Sequence, residues 1–429
     1  LDCQIQVGTE RLSKGYTEKC TKELENLYGI EYEKLRAAFL YGADAVYFAG
    51  ERFGMRAAAD NFTLPEIEEA SAYAHERGRK LYITLNTMPR EDEYAPLADF
   101  LRRLKALGDM PDAAIVADIG VMDMIQKIIP DMEIHISTQA GIVSSADCNA
   151  WYRLGAKRAV IARELSLSDI RAIRANIPSD MEIEAFVHGS MCVSFSGRCL
   201  LSNNLVGRDA NRGQCAQPCR WNYTITEEKR PDTPFPIEET REGTFIMSSK
   251  DMNMLAYVPE LIKSGISSFK IEGRMKSAYY TAVVTNAYRA AIDGYLRDGE
   301  NYSLDERWNK ELDSVSHREY CTGYYFDDPM NNAQLCENPG YMREKAYLAV
   351  ALEYDAERKT AKFRQRNKVS LGMAAELISP GKFGRGFTVE KIISAENGAE
   401  LESAPHPFME FWLPVPFEVK AGDILRGAN

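Results

Sequence analysis

The sequence predicts an α/β chain, a TIM-like (β/α)8 barrel followed by a small all-β, barrel-like domain. Three observations predict it. From about residue 31 to 295, short β-rich apolar runs alternate with amphipathic helical stretches, the mark of parallel βα units. Beyond Tyr341 the pattern changes to short runs such as AYLAVALEY, AKFRQRNKV, AAELISP and GFTVEKIIS, punctuated by Gly and Pro, as in a compact β domain. A length of 429 residues leaves room for one large domain and a smaller one.

In order, strands are expected at 43–50, 79–87, 112–118, 133–140, 156–163, 181–189 and 267–274. Helices with apolar residues at three and four spacing are expected at 31–41, 64–77, 93–107, 120–129, 144–154, 166–177 and 257–263, with one more at 277–295. That is one strand short of a (β/α)8 barrel, whose usual length is about 250 residues. The missing element belongs before the helix at 31. Residues 1–30 hold no convincing strand and begin with Leu, so a truncated, mis-joined or divergent N-terminus is expected, with a missing or divergent first strand. A doubly wound open sheet is the competing fold. The expected division is an atypical segment 1–30, a barrel 31–296 with a cysteine-rich loop 190–223, a polar connector 297–340 and a β domain 341–429.

Composition excludes several classes. With 45% hydrophobic and 27% charged residues, the chain is neither disordered nor fibrous. Absence of a long apolar run or a leader pattern predicts a cytoplasmic protein with no membrane partner. The net charge of −11 argues against a uniformly basic nucleic-acid binder, yet residues 358–391 carry nine Lys or Arg against two Glu. Within that stretch Lys362, Arg364, Arg366 and Lys368 recur at period two, one face of a strand, and are the expected RNA contacts. Edge protection by charge explains such a row nearly as well.

The most informative stretch is residues 184–223, EAFVHGSMCVSFSGRCLLSNNLVGRDANRGQCAQPCRWNY. Cys192, Cys199, Cys215 and Cys219 are four of the nine cysteines and lie within 28 positions. They follow the C-terminal end of an expected barrel strand, where TIM-barrel active sites are built. A chain with no export pattern keeps its thiols reduced, so clustered cysteines mean metal rather than disulfides. Four thiolates suit a zinc ion or a [4Fe–4S] cluster; only Cys215 and Cys219 show the close pairing usual in structural zinc sites, and Arg198, Arg208, Arg212 and Arg220 would offset cluster charge. Cys3, Cys20, Cys148, Cys321 and Cys336 are scattered and read as small buried or idle thiols.

EAFVHGSMCVSFSGRCLLS and GQCAQPCRWNY resemble the signature of the peptidase U32 (collagenase-like) family. EKLRAAFLYGADAVYFAGERFGMRA, FKIEGRMKS, SHREYCTGYY, RQRNKVSLG and AGDILR agree with it, so the likeness spans about residues 31–429. It departs at the N-terminus, where the family's first strand is not found. The resemblance implies a [4Fe–4S] cluster on Cys192, Cys199, Cys215 and Cys219, with zinc second. In layout the chain is similar to members that hydroxylate the tRNA wobble uridine without oxygen, using prephenate. Relatives act on ribosomal RNA or, as paired proteins, on the ubiquinone ring, so a paired family member is a further expected partner. A peptidase and a non-catalytic iron–sulfur scaffold are the alternatives.

Alternation assigns the remaining site residues. Glu184 and His188 share one face of their strand and are expected to be catalytic together with Arg274, or else to be a buried polar pair. Lys270, Glu272 and Arg274 share a face of the last barrel strand. Three inward charges need a ligand or partners, so they are expected to bind a small anionic co-substrate, with a closed salt-bridge network as the alternative. Asn86, Gln139 and Arg56, at or just after other strand ends, are weaker candidates for that rim.

Overall fold

A computed structural model describes residues 2–6, 31–54, 61–192, 199, 201–210, 213–218, 239–240, 243–244, 250–273, 276–326 and 342–428. Eight parallel strands close into a barrel: β1 (Asp2–Gln6), β2 (Ala45–Ala49), β3 (Lys80–Leu85), β4 (Ala113–Val116), β5 (Glu133–Ile136), β6 (Arg158–Val160), β7 (Glu182–Ser190) and β9 (Ser268–Ile271). β9 pairs with both β7 and β1, which completes the ring. A short extra strand, β8 (Asp251–Asn253), runs antiparallel to the end of β7 and carries β10 (Tyr320–Cys321) on its far side.

The first strand is therefore present, against the expectation from the sequence. β1 aligns Gln4 with Ala45 of β2 and with Lys270 of β9. Its five residues, DCQIQ, alternate apolar and polar too briefly to stand out. Backbone pairing with two flanking strands overrides that weak local pattern.

Helices follow the strands: α1 (Glu31–Leu40), α2 (Leu64–His75), α3 (Tyr94–Lys105), α4 (Ile119–Ile128), α5 (Ser145–Arg153), α6 (Leu167–Ala175), α7 (Leu201–Val206) and α8 (Val258–Lys263). Local signals set the start of some and an apolar stripe fixes the buried face of others. Asp118 accepts from the Val121 N–H at 3.0 Å, and Thr63 and Glu66 form a capping box. α3 buries Leu97, Leu101 and Leu104, at spacings of four and three. Among the described residues no helix is long and apolar enough to cross a membrane.

By packing, residues 1–35, 43–275 and 318–341 form one unit, and residues 36–42, 276–317 and 342–429 another. The second is built on an antiparallel sheet in the order β14 (Arg385–Thr388), β13 (Ala374–Ile378), β17 (Ile424–Gly427), β11 (Tyr347–Asp355), β12 (Thr360–Gln365), β16 (Glu410–Pro414) and β15 (Ile392–Ser394), with the two-residue strand Glu400–Leu401 at its edge. Phe363, Leu377, Phe411, Leu413 and Leu425 lie in its core. This unit includes α9 (Ala278–Asp298) and α10 (Arg307–Asp313). The buried Arg426 guanidinium ties them to the sheet, bonding Glu311 at 2.5 and 2.9 Å, Tyr279 Oη at 3.2 Å and Glu376 at 2.7 Å.

Candidate active site

Alternation along the barrel strands sends one set of side chains into the lumen. Tyr47, Tyr82 and Ile115 form an apolar layer with Ala45 and Ala113. Beside it β6, β7 and β9 contribute Arg158, Glu184 and Lys270. Glu184 is 0% exposed and Arg158 2%. Such charges are costly unless paired, and here they pair with one another. Lys270 Nζ donates to Glu184 Oε1 at 2.5 Å; Arg158 Nη1 and Ser268 Oγ donate to Oε2 at 3.1 and 3.2 Å. Arg158 also holds the half-exposed Glu182 at 2.5 Å. Lys270 Nζ lies 3.9 Å from the Tyr47 ring centroid, a cation–π contact inside the barrel.

Burial alone would push the Glu184 carboxyl up, but the Lys270 ammonium and the Arg158 guanidinium outweigh it and hold it at about 2. Glu184 is thus held as an anion with both oxygens engaged, at the centre of an ion network. The Lys270 ammonium is pushed down by burial, with Glu184 opposing. His135, buried on β5 with Nε2 3.5 Å from Glu133, is held below its usual pKa chiefly by burial. Its ring meets Tyr82 edge-on at 4.7 Å.

Above this layer lies the C-terminal mouth. His188 is buried there with its ring 5.5 Å from that of Tyr320. Glu272, 8% exposed, donates its backbone N–H to the His188 carbonyl at 2.9 Å. This close approach requires glycine next door: Gly189 has φ +104°, and a Cβ there would meet the Glu272 carbonyl oxygen at 2.4 Å. The segment after β10 is anchored by the Tyr325 hydroxyl, which donates to the Phe186 carbonyl at 2.6 Å. Just before it, Arg318 bonds Asp251 at 2.7 and 3.1 Å, both fully buried. On another part of the rim, Asn86 donates to Ser137 Oγ at 3.2 Å, and that oxygen accepts from the Gln139 N–H at 3.4 Å. The structure thus gathers Asn86 and Gln139 around Ser137, and Glu184 with Lys270. Arg56, Arg274 and Cys219 lie outside the described residues.

In the cysteine loop, Cys192, Cys199 and Cys215 are assigned to no disulfide among the described residues. Cys199 Sγ accepts from the Leu201 N–H at 3.4 Å and Cys215 Sγ from the Gln217 N–H at 3.3 Å. Ser202 Oγ accepts from the Ala216 N–H at 3.0 Å, tying the two cysteine-bearing segments together. Among the described residues no three Cys, His, Asp or Glu side chains converge as a metal site. The donor set nevertheless suits thiolate ligation, because backbone N–H groups on sulfur stabilise the ionised form and tune a cluster. Cys148 is buried instead, which pushes its thiol to about 11.

The basic row of the β domain is differently placed. Lys362 and Arg364 are 9% and 7% exposed and share Glu410, at 2.6 and 3.1 Å. Arg366 lies 5.0 Å over the Phe408 ring, and Lys368 alone of the four is exposed.

Sequence reasoning missed Arg158, His135, Arg163 and the Asp251–Arg318 pair. The parity rule that picked Glu184 also places Arg158 on the inward face of its three-residue strand. No comparable signal marks Arg318, whose partner is 67 residues away.

Comparison with known families matches Peptidase family U32 over residues 30–335 and the Peptidase family U32 C-terminal domain over 343–426. The chain belongs to peptidase family U32. This U32 protein is 37% identical to "tRNA hydroxylation protein P1" of Bacillus subtilis, over 87% of each chain. It is 35% identical to "tRNA hydroxylation protein P" of Escherichia coli, covering 92% of this chain and 94% of that one. It is also 32% identical to "Collagenase" of Porphyromonas gingivalis, over 92% and 95%.

Proposed function

We propose that this enzyme hydroxylates tRNA at the wobble uridine, without oxygen and with prephenate as small anionic co-substrate. The reading is carried by the likeness, along nearly the whole chain, to two proteins named for tRNA hydroxylation. Cytoplasmic tRNA would be its partner. Cys192, Cys199, Cys215 and Cys219 would hold a [4Fe–4S] cluster next to the mouth of the barrel. When bound, such a cluster supplies one-electron chemistry or a Lewis-acidic iron.

The chain's own residues do the rest. The Glu184, Lys270 and Arg158 network pins β6, β7 and β9 together below the mouth, so the rim above them is rigid. Gly189 lets β7 and the end of β9 approach closely where β7 leads into the loop carrying Cys192. On the β domain, the exposed Lys368 would meet phosphate, while Lys362 and Arg364 hold β12 to Glu410.

The peptidase alternative rests on the collagenase-named relative. A Ser190–His188 pair would need an orienting carboxylate. Glu184 lies four residues from His188, about 13 Å along a strand, and both its oxygens are engaged. Nucleoside analysis of tRNA from a deletion strain tests the proposal. Loss of 5-hydroxyuridine derivatives is expected, and unchanged nucleosides would refute it.

A further inference from the structure

We infer that Arg163, stacked on Phe186 at the mouth of the barrel, is the seat of a carboxylate of the small organic acid this enzyme uses. The inference rests on the co-substrate reading above and adds the residue that would hold it.

Other cations around the lumen each have an anion. Arg158 has Glu182 and Glu184, Lys270 has Glu184, and Arg318 has Asp251. Arg163 differs. Its guanidinium carbon lies 3.8 Å from the Phe186 ring centroid, and among the described residues no carboxylate or carbonyl oxygen takes its N–H groups. The stack satisfies the flat face of the guanidinium and leaves its in-plane donors for a ligand. A carboxylate accepts two of them side by side.

The platform under Arg163 is fixed. Phe186 is buried on the inward face of β7, and its carbonyl is held by the Tyr325 hydroxyl. A guanidinium held on an immobile ring loses little freedom when a ligand arrives. The Lys270 ammonium lies 5.6 Å from the same ring, so a second positive charge supports the site although Glu184 is its direct partner. Arg163 itself is half-buried, three residues beyond the end of β6, on the rim where barrels of this kind bind their ligands.

The test uses anaerobically purified, cluster-loaded protein, wild type, Arg163→Gln and Arg163→Lys. Binding of prephenate and of inorganic phosphate is measured by calorimetry, and KM and kcat for prephenate by tRNA hydroxylation. Arg163→Gln should weaken prephenate binding and raise its KM by about 10- to 100-fold, the worth of a charged hydrogen-bond pair, with kcat changed less. Arg163→Lys should recover part of the loss, keeping the charge without the fork. Phosphate should bind weakly and compete poorly. Unchanged prephenate affinity in Arg163→Gln overturns the inference, as does a fall in kcat alone or phosphate binding tighter than prephenate. If the wild type binds prephenate through Arg163 but modifies no tRNA, the inference stands and the proposed reaction falls. If the wild type binds no prephenate, both fall.

Discussion

Replacing Glu184 by Gln removes the one anion shared by Lys270 and Arg158 while keeping shape and volume. Lys270 then loses its direct carboxylate partner, and Arg158 keeps the half-exposed Glu182. Breaking a buried ion pair from one side typically costs about 3–5 kcal/mol. The retained amide oxygen still accepts one hydrogen bond, which places Glu184→Gln near the lower end, about 3 kcal/mol. Lys270→Met, combined with it, should not add its full effect: a double-mutant cycle should give a coupling above about 1 kcal/mol. The carboxyl at about 2, against an ordinary value near 4.5, also fixes the pH window. A depressed carboxylate pKa contributes stability above the unfolded value and loses it as pH falls from about 4.5 towards 2. Urea unfolding at pH 7, with m-values compared between variants, reads all of this. A loss below about 1 kcal/mol for Glu184→Gln, or additive single effects, would refute the network as the clamp on β6, β7 and β9.

Further expectations concern other parts of the molecule. His135 is neutral where buried, so the unfolded chain takes up a proton first as pH drops below about 6.5; stability should fall there, and His135→Gln should flatten that slope in urea titrations between pH 6.5 and 5. Gly189→Ala should lower the thermal midpoint by several degrees, because a methyl group cannot share space with the Glu272 carbonyl at a left-handed backbone position; an unchanged midpoint would deny the close approach. Cys199→Ser and Cys215→Ser should each reduce iron and sulfide per chain in anaerobic preparations, and full iron content in both would dismiss these thiols as ligands. Lys368→Ala should weaken tRNA binding and lower its salt dependence more than Lys362→Ala, measured by filter binding across salt, since Lys362 already faces Glu410.

How far the sequence reached follows from what periodicity encodes. Strands such as AVYFA and KLYITL are buried on both faces and stood out as apolar runs. β1 did not, because a five-residue alternation gains its meaning only from neighbours lined up by the closed sheet. Parity along a strand correctly put Glu184 and Lys270 on inward faces, yet their meeting depends on register: Ser268 sits opposite Glu184, and Lys270 reaches it from two residues further on. The same limit hid Glu410, which faces Arg364 from a strand 46 positions later and engages two of the four cations of the basic row. Nor does a helical period say what a helix packs on, and α9 joined the C-terminal unit through Tyr279, a residue indistinguishable in sequence from any core tyrosine.

The seam where β1 meets β9 has a consequence for biosynthesis. Asp2 aligns with Ser268, so as the chain is made β1 waits for a partner 266 residues behind it. At typical elongation rates that is roughly 13 to 50 s with one hydrogen-bonding side of β1 unfilled. A nascent chain in that state is a natural client for a chaperone that shields bare backbone, and slowing translation ahead of residue 268 should lengthen its exposure and lower the yield of folded enzyme.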